Sequence, residues 1–305
     1  MKRKLAWEIA SASLSFLLIA PAIYIAAASE DISRKTITAM SFNIRYDNPG
    51  DEENAWSNRK EMVAATIRFH KADIAGLQEA LHHQVKDLET LLPEYGWFGV
   101  GRDDGREAGE FNPVFYRKGR FTVLDRSFFW LSDTPEKPGK AWDAACPRIA
   151  TWGKVEDKWT KKTFFFFNTH FDHVGETARI KSAELLVEKM NELTGDHSVI
   201  LTGDLNCTEN DMPYKILTSG KGQLSGLADV YSLTESEPYG STQTFNGFRN
   251  TFLLDRRIDF IFVQKTGRVL RYGTISERWD GRFVSDHNAV LAEIELTDQD
   301  KISGN

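Results

Sequence analysis

Four consecutive phenylalanines, Phe164 to Phe167, constrain this chain more than any other feature. Side chains alternate between the faces of a strand, so a strand apolar at every position must be covered on both sides. Residues 36–45 (TITAMSFNIR), 73–78 (DIAGLQ), 149–155, 198–202 (SVILT), 258–263 (IDFIFV) and 289–296 also have strand composition, and several of these are apolar on both faces. Between them lie amphipathic helices. Ser57 is placed to cap a helix over 57–71, Pro93 stops one over 82–92, and Ile180, Ala183, Leu186 and Met190 mark one over 176–193. Lys118-Gly119 predicts a hairpin joining strands 111–116 and 120–125. The expected fold is α/β: two central sheets packed face to face with helices outside, in one domain over 32–298. Four loops, 46–56, 99–113, 131–146 and 234–256, are long enough to be expected at a functional site.

The N-terminus reads differently. Met1-Lys2-Arg3-Lys4 is basic, 9–28 is almost wholly apolar or small, and Ala26-Ala27-Ala28 precedes Ser29. That pattern predicts a signal peptide over 1–28, with an uncleaved membrane anchor as the alternative. Either way the domain is expected to be exported, to the periplasm, the cell exterior or the outside of a membrane. Three bases and one acid in 1–28 leave −8 on the rest, against −6 for the whole chain. So acidic a surface repels polyanions, and avid nucleic-acid binding is not expected. The two cysteines, Cys146 and Cys207, are expected as free thiols, although an exported chain leaves a disulfide open to them. Asn206-Cys207-Thr208 is a glycosylation sequon on a turn expected to be functional, which tips the export route toward a bacterial one.

The polar residues recur at one kind of place. The first strand carries Asn43 near its end, and 73–78 runs into Glu79. The phenylalanine strand ends in Asn168-Thr169-His170-Phe171-Asp172, and 198–202 runs into Asp204-Leu205-Asn206. Asp259 interrupts an apolar strand, and Ser285-Asp286-His287 precedes the last one. Singly, each is an ordinary turn, cap or structural residue. Six strands delivering them together implies convergence, because polar groups held in apolar runs need partners.

The ordered motifs SFNIR, LQEA, FNTHFDH, TGDLN, RRIDFIF and SDHNAV, spread over 36–297, resemble the endonuclease/exonuclease/phosphatase superfamily with its deoxyribonuclease-I-like fold. The resemblance implies a four-layer α/β/β/α sandwich and hydrolysis of phosphate esters with Mg²⁺ or Mn²⁺. It implies that Glu79 is the main metal carboxylate, with Asn43 beside it. Asp204 is implied as the residue that activates or positions water, and Asn206 as a holder of the phosphate or of Asp204. His287 would be oriented by Asp286, Asp259 would fix a histidine or help the metal, and His170 would assist the leaving group. Arg148, Glu110 and Asn112 are candidate substrate contacts. Asp172 extends the motif of His170, and His173 is expected to point away. Arg179 is expected to be structural. Trp56 and Trp142 suit either a cleft rim or the core.

The function expected is a metal-dependent phosphoesterase acting outside the cytoplasm on a small diester or a sugar- or lipid-linked phosphate, as a monomer. A secreted nuclease and a non-catalytic ligand-binding member of the same fold are the alternatives.

Overall fold

Both faces of the phenylalanine strand are covered. Phe164 and Phe166 point into a core between two sheets, while Phe165 and Phe167 pack under a helix that brings Ala183, Leu186 and Met190. Burying a phenylalanine is worth roughly 2 kcal/mol, so this strand alone anchors two layers.

The computed structural model describes residues 35–220, 226–249, 256–264 and 266–296. In chain order the elements are β1 (Thr36–Asn43), a 3-10 turn (Pro49–Asn54), α1 (Trp56–Phe69), β2 (Ile74–Gln78), α2 (His82–Leu91), β3 (Tyr95–Phe98), β4 (Val114–Arg117) and β5 (Phe121–Trp130). Then come β6 (Ile149–Asp157), β7 (Thr163–His170), α3 (Glu176–Thr194), β8 (Ser198–Asp204), α4 (Met212–Ser219), β9 (Ala228–Asp229) and α5 (Val230–Leu233). The chain continues with β10 (Asp259–Gln264), β11 (Thr266–Ile275), β12 (Arg278–Trp279), β13 (Arg282–Phe283) and β14 (Ala289–Leu296). Two six-stranded mixed sheets result, ordered β11-β14-β1-β2-β4-β3 and β5-β6-β7-β8-β10-β9. Helices α1 and α2 cover the first sheet through Val63, Ile67, Val85 and Leu88. Helices α3 and α4 cover the second through Leu186, Met190, Ile216 and Leu217. The order helix, sheet, sheet, helix is the four-layer sandwich expected. Among the described residues no helix is long and apolar enough to cross a membrane. The expected leader or anchor, 1–28, lies outside the described residues.

Two local expectations fail. Residues 111–116 and 120–125 are not partners in a hairpin: β4 pairs with β2 and β3 in the first sheet, and β5 pairs with β6 in the second. Lys118-Gly119 is therefore the crossing between sheets. What holds the crossing is Arg120, whose guanidinium meets Asp73 at 2.7 Å and Asp157 at 2.8 Å. Those acids lie at the entry to β2 and the end of β6, so one buried cation ties the two sheets. Ser57 does not cap α1 either. The helix starts one residue earlier, behind Ala55, with no side-chain cap bond. Instead Arg59, buried inside that helix, donates to the carbonyls of Asn54, Ile44 and Val284.

Where β2 crosses β7 and β8 the sheets touch through polar atoms. Asn168 donates to the carbonyls of Leu77 and Pro113 and accepts from Gln78 and Thr202. Gly76 makes room for this bridge, since a Cβ there would lie 2.1 Å from Thr202 Oγ1 and 2.5 Å from Asn168 Oδ1. Gly76→Ala is accordingly expected to destabilise the protein by about 3 kcal/mol, an overpacking cost with no flexible neighbour to absorb it. Urea unfolding measures this, and a loss below about 1 kcal/mol would show that the sheets can separate at this point.

Candidate active site

Strand register brings the polar residues together. Asp204, the last residue of β8, has His170 as its Cα partner on one side and Asp259 on the other. In the facing sheet, Asn43 ends β1 beside Gln78, so Glu79 follows at the same edge. Glu79 and Asn206 both turn out of their strands in left-handed conformations, with φ of 62° and 47°. For Asn this is an ordinary turn geometry, whereas for Glu it costs energy that the surroundings must supply, a pattern found at functional sites.

The side chains meet in a buried cluster. Asn43 Nδ2 donates to Glu79 Oε1 and to Asp204 Oδ2, both at 3.0 Å. Its oxygen accepts from the Arg45 N–H, so it presents a donor, not the expected metal-binding oxygen, to the two acids. His287 Nδ1 lies 2.9 Å from Asp259 Oδ2, and its Nε2 lies 3.7 Å from Asp204 Oδ2. Asp259 therefore orients His287. The expected orienting residue, Asp286, instead accepts from Ser285 Oγ and faces Arg45, because sequence neighbours at this bend point apart. On the other side, Asn206 donates to the Phe171 carbonyl at 3.1 Å and to His170 Nε2 at 3.0 Å. With Nε2 accepting, the His170 proton sits on Nδ1, which is buried without an acceptor.

Electrostatics separate the two imidazoles. Burial, and then the positive charges of Arg148 and Arg102, push His170 well below its usual range, so it is neutral. Burial also opposes charge on His287, but Asp259 and Asp204 outweigh it and hold the ring well above its usual range, as an imidazolium. Burial and then Asp259 raise Asp204 to about 7. Burial, opposed by His287 and reinforced by Glu79, raises Asp286 to about 6.

Ligand atoms of Glu79, Asp204 and His287 lie within 4.8 Å of one another. The carboxylate oxygens of Glu79 and Asp204 suit a hard divalent cation such as Mg²⁺ or Mn²⁺, whereas His287, protonated on both ring nitrogens, offers it no lone pair. The Asn43 amide is the hydrogen-bond donor shared by the two acids, and Asp259 Oδ1 is buried without a partner. The donor set fits a cation.

Above the cluster is a cleft of about 550 Å³. Each of the four long loops contributes to its wall, through Tyr46, Arg102 with Glu110, Cys146, and Phe245 with Arg256. Arg148 is on the wall too. It pairs with Asp172 at 3.4 Å and with His173 Nδ1 at 3.0 Å, while its Nη1 is buried with no acceptor. His173 thus faces the cleft, contrary to expectation. Asp172 is held below the usual carboxylate range although burial opposes this, because the backbone N–H groups of Gly175 and Val174 bind it. Arg179 bonds the Asp172 carbonyl, a structural role. Asn112 is not on the cleft wall: its amide donates to the Ile149 carbonyl and joins the sheets. Trp56 is core, and Trp142 hydrogen-bonds Asp133 in its own loop. Cys146 and Cys207 are free thiols, and burial pushes Cys207 up to about 12.

Arg45, Tyr46, Arg102 and Phe245 are cleft residues that the sequence reading did not single out. Arg45 stood inside a quoted motif, and the other three lay in loops marked as functional by length alone.

A sequence profile described as the Endonuclease/Exonuclease/phosphatase family matches residues 40–287. The chain belongs to this family. Family members are metal-dependent hydrolases of phosphate esters. An endonuclease/exonuclease/phosphatase from Bacteroides vulgatus is 43% identical, with a TM-score of 0.81, over 86% of this chain and 99% of that one. A mannosyl-6-phosphatase of Bacteroides thetaiotaomicron is 40% identical, with a TM-score of 0.78, over 85% of this chain and 99% of that one. An uncharacterised protein of Acanthamoeba polyphaga mimivirus is 30% identical over 79% of this chain and 92% of its own length. The chain spans only 37% and 44% of the length of two other curated relatives.

Proposed function

We propose that this chain hydrolyses small phosphate esters with Mg²⁺ or Mn²⁺, a sugar phosphate being the substrate class, outside the cytoplasm. The observation that carries the reading is Asp204, a buried acid flanked in register by His170 and Asp259 and faced by Glu79. Glu79 is the carboxylate assigned to the cation, with Asp204 within reach of it. When bound, the cation would neutralise phosphoryl oxygens and the developing charge on the leaving oxygen.

The chain's own groups supply the rest. Asp204, poised near neutrality, is matched to taking a proton from an attacking water. The His287 imidazolium, steadied by Asp259, stands where charge develops on the phosphoryl group. Asn206 and the neutral His170 would face the leaving oxygen together. Arg148 keeps one N–H for a phosphate oxygen. The sugar is supported by the 40% identity to a protein named as a mannosyl-6-phosphatase. A net charge of −6 speaks against polynucleotide as substrate. Export rests on 1–28 and belongs to the same proposal; sequencing the N-terminus of the protein from its host would reveal cleavage near Ala28.

The test is phosphate release from a hexose 6-phosphate, turnover of a chromogenic diester and nicking of plasmid DNA, each with Mg²⁺, with Mn²⁺ and with chelator. Release from the monoester that stops on chelation is expected. Silence on all three substrates with both metals would defeat the hydrolase reading, and preference for DNA would restore the nuclease.

A further inference from the structure

Glu110, a candidate substrate contact from the sequence, forms an ion pair with Arg102 on the cleft wall. Arg102 Nη1 donates to Glu110 Oε2 at 2.5 Å, and both side chains are mostly buried. The pair is incompletely satisfied. Arg102 Nε is buried with no acceptor, Asp103 Oδ1 lying 4.0 Å away. The second Glu110 oxygen has no hydrogen bond among the described residues. Buried polar groups are normally paired, and unpaired ones on a cleft wall mark where a ligand completes them.

The pair is also held in place relative to the reactive cluster. Residues 101–111 form a tongue closed by backbone bonds from Arg102 N to the Glu110 carbonyl and from Asp103 N to the Ala108 carbonyl. Phe111 then bridges to Ala80, the residue after Glu79. Trp130 Nε1 bonds the Arg102 carbonyl at 2.7 Å. At Gly101 a Cβ would lie 2.2 Å from the Ala108 carbonyl oxygen, so the two arms of the tongue are in contact.

We propose that Arg102 and Glu110 form the subsite for the alcohol half of the substrate, and that they bind adjacent hydroxyls of a polyol. This rests on the phosphohydrolase reading above. Each hydroxyl of a vicinal diol both donates and accepts. The free Glu110 oxygen takes the donated hydrogen bonds, and the guanidinium gives the complementary ones. A second phosphate finds no net positive charge in such a pair, and its own charge meets the carboxylate. Arg148 is paired with a carboxylate as well, Asp172, but its Nη1 has no acceptor and remains for the phosphate.

The experiment compares kcat/KM for a hexose 6-phosphate and for hexyl phosphate, which has a leaving group of similar length without the hydroxyls. Sites built to bond a hydroxyl discriminate strongly against analogues that lack it, so the wild-type protein should prefer the sugar by about a hundredfold or more. Glu110→Gln should reduce that preference at least tenfold, the loss appearing mainly in KM for the sugar ester. The double variant Arg102→Met, Glu110→Met removes both charges together, so neither is left buried alone, and should abolish the preference. Parallel losses on both esters in either variant would make the pair a brace for the tongue and overturn the proposal. A wild-type protein that cleaves both esters equally well would overturn it while leaving the hydrolase standing. If the wild-type protein cleaves neither, the sugar-phosphate reading fails and takes the subsite with it, and the diester and DNA assays decide whether the hydrolase stands.

Discussion

Asp204→Asn is expected to lower kcat by about a thousandfold or more, the scale lost when a positioned base is removed, without lowering the melting temperature. The two halves of that result have one cause. Asp204 sits in full burial beside Asp259, and both effects raise it to about 7 from an ordinary 3.8. A carboxyl raised in this way binds protons more tightly in the folded state than in the unfolded chain. Stability therefore falls as pH rises between the two values, and it is present in full only below the lower one. Asparagine keeps the shape and the bond from the Asn206 N–H but carries no charge. In chelator, the melting temperature of the variant should gain on that of the wild-type protein between about pH 4 and pH 7. Hydrolysis at the wild-type rate would remove Asp204 from the chemistry. A variant that melts lower across that range would mean that its charge stabilises the fold.

Arg120→Met should be the most damaging single change away from the site. The guanidinium is almost wholly buried, lies between Asp73 and Asp157, and stacks 4.5 Å from the Trp159 ring centre. Removing the cation leaves two acids buried near each other with only the partly exposed Arg117, 3.7 Å from Asp73, to balance them, a loss of about 3–5 kcal/mol. For a domain of this size that is a fall of roughly 10 °C in melting temperature. Burial already raises Asp73 despite Arg120, and without the arginine it rises further. By the same sign argument, the gap between variant and wild type should narrow as pH is lowered from 7 toward 5. A gap that stays constant with pH would attribute the loss to packing instead of charge.

Much of the architecture was legible in local sequence. A strand apolar on both faces demands two covering layers, and the run Phe164 to Phe167 states this without reference to any other part of the chain. Helix α3 was legible in the same way, from spacing. The site was legible as a class of residues at strand ends, since a buried strand presents polar groups only where it emerges.

The partnerships were not legible. Asp286 adjoins His287 in the chain, yet Asp259 holds the imidazole, because β10 lies beside β8 and that register is set across the sheet. Lys118-Gly119 has the chemistry of a hairpin turn, and the sheets on either side of it decide that it is a crossing. Arg102 and Glu110 lie eight residues apart in a loop without periodicity, and only the closed tongue makes them a pair. By itself the sequence determined which segments are buried and which residue types stand where they surface, because the pleat and the helical turn impose those periods on neighbours in the chain. The tertiary structure alone decided which acid meets which base, because those contacts join residues distant in sequence, and their energies depend on burial that no single segment contains.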